Sequence, residues 1–422
     1  PGVCPGVTPR IHTLPNGVRV VADPMPGLSS LALSVVIRGG SRWEAEGEAG
    51  WAHMLEHMVF KGAGTRDARG IAEAVEAEGG QVNAATGFER TSFQVRCLAD
   101  GLPLGLEILS DLVRRPHLDG DELEREKLVI AQEIADAADT PDDRVFDLAQ
   151  GAAFRDQPLG RPILGTTDSL APATAASLAA FHRSLYAADR IVVSASGAVD
   201  EDALLAEVER QFADMVPVER PLPSPARMTH DQVVETRRLE QAQLVWLTPG
   251  VSIHSEDYHA LRLFAEILGG GMASRLFQLV RETHGLCYAI DAYCANYDDV
   301  GVLGIYAGTA AADARPAARL IVEGLSRLVE DVTEAELSRA RAQARAGLHM
   351  GREQPLARAE QAAAQLLAFG RLIDPAESEA AFARVTLSDL KRVGGLALEG
   401  PRASAVLGPK RAGDAAAIFM AR

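Results

Sequence analysis

The chain has 422 residues, 47% of them hydrophobic and 24% charged, with a formal net charge of −16. Such a length exceeds what one hydrophobic core usually serves, so two domains of about 200 residues each are expected. The acidic balance speaks against a nucleic-acid partner, which calls for a basic surface, and the absence of a run of about 18 apolar residues speaks against a membrane span.

Acidic charge is compatible with cationic substrates, although solubility accounts for most of it. Cys4, Cys97, Cys287 and Cys294 show no C-x-x-C spacing. They read as incidental cysteines of a reducing compartment, not as a disulfide frame or zinc ribbon. The opening P-G-V-C-P-G-V-T-P-R lacks a basic region followed by an apolar stretch. No signal peptide is expected, and hence a cytoplasmic location, with mitochondrial matrix or periplasm as alternatives.

In chain order, residues 11–22 predict a hairpin-like start with a turn at Pro15-Asn16-Gly17, and 31–37 a second strand. Residues 50–60 read G-W-A-H-M-L-E-H-M-V-F. A helix there puts His53, Glu56 and His57 on one face, at i, i+3 and i+4, and turns Trp51, Leu55, Met58 and Val59 inward. Two imidazoles so spaced can hold one metal ion, with a carboxylate beside them for its water. This H-x-x-E-H order reverses the H-E-x-x-H zincin helix. The same short pattern occurs on ordinary helices, so a third ligand has to decide.

After the break at Gly62–Gly64, Thr65 or Asp67 caps a helix over 68–78, which Gly79-Gly80 stops. Residues 81–86 read as extended, 91–97 alternate as a strand, and 105–114 read as a helix. A long helix spans 119–138, and within it Glu126 and Glu133 lie seven apart, on nearly one face. Glu133 stands among Val129, Ile130 and Ile134. A carboxylate in so apolar a setting suggests a metal ligand, because unpaired buried carboxylates are rare. Glu122 and Glu124 read as a solvated face.

A strand at 191–197 and a helix at 201–212 precede Val216–Thr229, where prolines at 217, 221, 223 and 225 mark a linker. Beyond it a similar order returns: a strand at 243–247, a helix at 257–268, glycines 269–271, helices at 273–282, 314–329 and 334–350, strands at 289–297 and 302–308, and a late strand at 403–407. The halves therefore read as a weak internal repeat. The helix at 257–268 has no His pair, so only the first half offers a metal site.

These residues resemble the pitrilysin/insulinase metallopeptidases, whose zinc motif is inverted in this way, and the likeness covers nearly the whole chain. His53-Met54-Leu55-Glu56-His57 matches their zinc helix, and Glu133, with Glu126 seven residues earlier, matches the third ligand and its neighbour. Q-V-N-A-A-T at 81–86 resembles their substrate-edge strand. S-R-L-F-Q-L-V-R-E-T-H-G-L-C-Y at 274–288 resembles their Arg/Tyr element, with Arg281 and Tyr288. The length resembles the short bacterial peptidases and the catalytic subunit of the mitochondrial processing peptidase.

The resemblance implies an α/β (α+β) fold of two similar domains, each a mostly antiparallel sheet packed with helices. The expected division is 1–215 with the zinc site, a linker at 216–232, and 233–422 with the Arg/Tyr element. It also implies a zinc endopeptidase that cleaves short or unfolded peptides in a dimeric chamber. His53, His57 and Glu133 would hold one Zn²⁺, with Glu56 taking the proton of the attacking water and Glu126 orienting a ligand. Glu89 is a further candidate to support a ligand. The substrate would add as a strand along Asn83, Ala84 and Ala85. Arg281 and Tyr288 would hydrogen-bond it, in trans across a homodimer. On one continuous helix these two would share a face, but Gly285 suggests a helix end with Tyr288 beyond it. The alternatives are a non-catalytic scaffold subunit, which has no need of the intact Glu56, and the zinc-bearing subunit of a heterodimeric processing peptidase.

Overall fold

A computed structural model describes residues 8–421. Cys4 and the opening residues discussed above lie outside them. Six strands form the first sheet: β1 (Arg10–Thr13), β2 (Arg19–Pro24), β3 (Ser30–Ile37), β4 (Gln81–Thr86), β5 (Thr91–Leu98) and β6 (Ile191–Gly197). Their order is β1-β2-β6-β3-β5-β4. Only β2 and β6 pair in parallel. Five more strands form the second sheet: β7 (Asp231–Thr236), β8 (Gln241–Pro249), β9 (Cys287–Asn296), β10 (Gly301–Ala310) and β11 (Ala403–Gly408). Read from β7, the order is β7-β11-β8-β10-β9, again with one parallel pair, β7 with β11. Without β1, the first sheet has the same sequence of pairings. The internal repeat is thus a repeat of topology.

The helices that matter below are α1 (Trp51–Val59), α2 (Ala68–Ala77), α3 (Leu102–Arg114), α4 (Gly120–Asp139), α5 (Pro141–Ala153), α6 (Ala175–Leu185), α7 (Glu201–Phe212), α8 (Tyr258–Gly269), α9 (Ala314–Asp331), α10 (Glu334–Gly351) and α11 (Pro355–Phe369). Asp67 caps α2 by accepting from the Gly70 N–H at 2.8 Å. Among the described residues, no helix is long and apolar enough to cross a membrane.

Two compact units result. One contains the described residues up to Ile134, Pro162–Pro223 and His349–Ile373; the other contains Ala135–Arg161, Ser224–Leu348 and the described residues from Asp374. The linker region at 215–230 has no regular secondary structure, but the units do not follow a single cut at 216–232, because each takes in one helix from the other half of the chain. Packing explains the exchange. One face of the first sheet packs on α1, α2, α3, α6 and α7 through Leu31, Leu33, Val35 and Ile37. Val21, Val36 and Val192 face the other way, and α11 covers them with Ala362, Ala363, Leu366 and Leu367. Both faces are therefore dry, which is why β3 is a nearly unbroken apolar run. Arg358 of α11 ion-pairs with the buried Asp23, whose side chain also accepts from Ser196. In the second unit α5 packs on β8 and β11, and Phe146 meets the rings of Tyr293 and Tyr306 at 5.7 and 5.4 Å. Neither α5 nor α11 is among the elements read from the sequence.

Candidate metal centre

The site begins with how α1 is held. Gly50 precedes it at φ 88, a left-handed conformation that glycine adopts without strain. A Cβ there would lie 2.6 Å from the Leu164 carbonyl oxygen. Glu44, 3% exposed, accepts from the Gly50 N–H at 3.1 Å and from the Ala52 N–H at 2.8 Å. A carboxylate at this end suits the helix dipole and satisfies N–H groups that have no partner within the helix. Trp51, Ala52, Met54, Leu55, Met58 and Val59 are buried, which leaves His53, Glu56 and His57 half-buried on the opposite face.

Opposite them stands Glu133 of α4. One ligand atom from each of His53, His57 and Glu133 lies within 4.8 Å of the others. Glu133 Oε2 is 3.5 Å from His57 Nε2 and 3.8 Å from His53 Nε2. These are long for hydrogen bonds. Donors bonded to one tetrahedral zinc at 2.0–2.2 Å stand roughly 3.4 Å apart, so the set fits that ion. Burial, aided by the neighbouring His57, lowers the His53 pKa to about 4, although Glu126 opposes the shift. The imidazole is therefore neutral, as ligation requires, at any ordinary pH.

The support around this set is polar. His57 Nδ1 donates to Glu126 Oε1 at 2.8 Å, which leaves Nε2 for the site. Lys61 Nζ reaches the other oxygen of Glu126 at 2.6 Å. Burial pushes the Glu56 pKa up, with Glu133 adding to the rise, while hydrogen bonds from Thr86 and the nearby His57 pull it down. Glu56 Oε2 is buried without a hydrogen-bond partner.

One expectation needs correction. Glu133 does not sit in an apolar interior, since its side chain is 39% exposed and Val129 is largely exposed. The buried acid of α4 is Glu126, 3% exposed. Glu89 pairs with Arg42 at 2.8 Å. Asn83, Ala84 and Ala85 lie on β4, the edge strand of the first sheet, and Thr86 at its end holds Glu56.

Arg281 and Tyr288 come together in the second unit. The expected α-helix is π-helical over Phe277–Thr283. Gly285 follows it at φ +62, and Tyr288, the second residue of β9, is 77% exposed. The Arg281 guanidinium lies 4.5 Å from the centre of the Phe277 ring and 5.6 Å from that of Tyr288. Phe277 was not singled out from the sequence. Nor were Glu44, Thr86 and Lys61; for Lys61 the signal was present, because it stands four residues after His57.

The sequence model of "Insulinase (Peptidase family M16)" matches residues 19–167, and that of "Peptidase M16 inactive domain" matches 172–344. An uncharacterized zinc protease of Rickettsia bellii is 36% identical over 95% of this chain and 97% of its own. The chain belongs to peptidase family M16. Other relatives include an uncharacterized zinc protease of Mycobacterium tuberculosis H37Rv, 34% identical over 96% of this chain and 94% of its own. YmxG, an uncharacterized zinc protease of Bacillus subtilis, is 36% identical over 81% and 84%. In fold, a protease from Helicobacter pylori superposes with a TM-score of 0.88 at 22% identity, covering 95% of this chain and 99% of its own. A Pseudomonas fluorescens structure described as a peptidase M16 inactive domain gives 0.88 at 21%, covering 96% and 98%. The half of this M16 chain that matches the inactive domain is the one whose helix α8 has no His pair.

Proposed function

We propose that this chain is a zinc-dependent endopeptidase for short or unfolded peptides, with His53, His57 and Glu133 holding one Zn²⁺. The observation that carries the reading is the convergence of those three donors next to Glu56 on one helix. The ion, when bound, supplies a Lewis acid that polarises a carbonyl and brings the pKa of water towards about 7. Glu56 takes a proton from the attacking water and delivers it to the leaving nitrogen. Its burial makes it a stronger proton acceptor than a solvated glutamate. Thr86 keeps that carboxylate in place. The free edge of β4 at Asn83–Ala85 receives the peptide as an added strand, which pairs by backbone and tolerates many side chains.

Arg281 and Tyr288 donate hydrogen bonds to a peptide carbonyl and its developing charge. We place this pair at the metal centre of a second copy of the chain, so that a homodimer encloses two sites. Mixed dimers with Arg281→Ala in one chain and Glu56→Ala in the other then keep one intact site and stay active; inactive mixed dimers contradict the arrangement.

The reading as a whole is tested by cleavage of a quenched fluorescent peptide library, comparing the native chain with Glu56→Gln and measuring zinc in both. Cleavage that vanishes in a variant still holding its zinc supports the peptidase and its base. A zinc-loaded native chain without cleavage favours a scaffold or a missing partner subunit.

A further inference from the structure

We propose that Lys61 is a positioning residue of the metal centre, acting on His57 through Glu126. The proposal rests on the metal reading above and adds to it a residue that holds no metal itself. His57 lies near the end of α1, and Lys61 follows four residues on in the turn just beyond the helix. Both reach one carboxylate on α4: Glu126 Oε1 accepts from His57 Nδ1 at 2.8 Å, and Oε2 accepts from Lys61 Nζ at 2.6 Å. The carboxylate is thus gripped at both oxygens in a buried site, and neither oxygen is free to turn away. Its fixed direction sets the plane of the His57 ring and directs Nε2 towards Glu133.

The contrast with His53 shows why this grip matters. His53 Nδ1 is buried and has no hydrogen-bond partner. Of the two imidazoles, only His57 is steered by a polar contact outside the donor set, so the Lys61–Glu126 pair is the polar constraint on the geometry of that ligand. Loss of the lysine leaves Glu126 Oε2 buried without its cation, and the carboxylate can then rotate, carrying the ring with it. Lys61 is itself part-exposed, with 31% of its side chain accessible, so replacing it does not open a hole in the core.

The test is zinc affinity, measured by competition between metal-free full-length protein and a chromophoric chelator. The set comprises the native chain, Lys61→Met, Lys61→Arg, Glu126→Gln and the Lys61→Met/Glu126→Gln double variant. Partners that orient metal ligands are typically worth 10–100-fold in affinity, and Lys61→Met is expected to lose that much. Lys61→Arg, which keeps the cation, recovers most of the loss. The double variant binds no more weakly than Glu126→Gln alone, because the lysine acts only through that carboxylate. Native affinity in Lys61→Met overturns the proposal, and so do losses that add in the double variant. A native chain that binds no zinc overturns the metal reading instead, and this inference with it. Circular dichroism of the metal-free variants checks folding, and should Lys61→Met not fold, Lys61→Gln takes its place in the same set.

Discussion

Glu44 offers a sharp test of how α1 is held. Glu44→Gln keeps the size of the side chain but replaces one accepting oxygen with an NH₂ group. The carboxylate accepts from two buried backbone N–H groups, of Gly50 and Ala52, at 3.1 and 2.8 Å. The amide can accept only one of them and turns a donor towards the other. A hydrogen bond to a charged group contributes about 1.5–3 kcal/mol, and the negative charge at a helix N-terminus adds a few tenths more. The expected loss is about 2 kcal/mol, which for a unit of about 200 residues lowers Tm by roughly 4–8 °C. The assay is thermal unfolding of metal-free protein by circular dichroism, so that zinc does not contribute. Because α1 presents both histidines, zinc affinity should fall alongside. A variant that melts within about 1 °C of the native chain, against that scale, refutes the assignment of Glu44 as the holder of this helix.

Other outcomes follow from the same geometry. Arg281→Ala should lower kcat/KM by about 100-fold, as for loss of a donor to a developing oxyanion, with zinc content unchanged; lost zinc would point to a structural role. Peptides N-methylated near the scissile bond should be cut far more slowly than their parents, because strand addition along β4 needs backbone N–H groups; equal rates contradict that binding mode. Glu336 gives a pH signature in the second unit. Hydrogen bonds from Arg275, with help from Thr333, lower its pKa to about 2. A depressed carboxylate stabilises the fold above its unfolded pKa near 4.5, and that contribution is lost as pH falls towards 2. Allowing for solvent screening it is worth about 1 kcal/mol. In urea unfolding, the advantage of the native chain over Glu336→Gln should shrink by roughly half of that amount from pH 6 to pH 3, and a constant difference refutes the pairing.

What the sequence made legible was local. The face shared by His53, Glu56 and His57 follows from helical spacing alone, and the second-half order of strand, helix and glycines foreshadowed the repeated sheet topology. Glu133 was found for a reason the structure corrects: its neighbours on α4 are apolar, but Val129 points to solvent and Glu126 is the buried acid. Periodicity gives which residues share a face but not which face is covered. The grip of Glu126 on Lys61 joins residues 65 apart, and Glu44 joins α1 from outside it, so no local spacing announces either partnership. The alanine-rich run of α11 hides its role for a related reason. Its buried face uses Ala359, Ala362 and Ala363 to approach the sheet closely, and that face is only weakly distinguished by hydrophobicity from the rest of the helix.

The central claim is that His53, His57 and Glu133 hold one zinc ion beside Glu56. Its most direct test is an anomalous-difference map at the zinc absorption edge, from crystals of the zinc-loaded Glu56→Gln protein. The account requires one peak per chain, about 2.0–2.2 Å from an imidazole nitrogen of each histidine and a carboxylate oxygen of Glu133. Zinc bound elsewhere, or a metal-loaded protein with no peak between those three side chains, contradicts it.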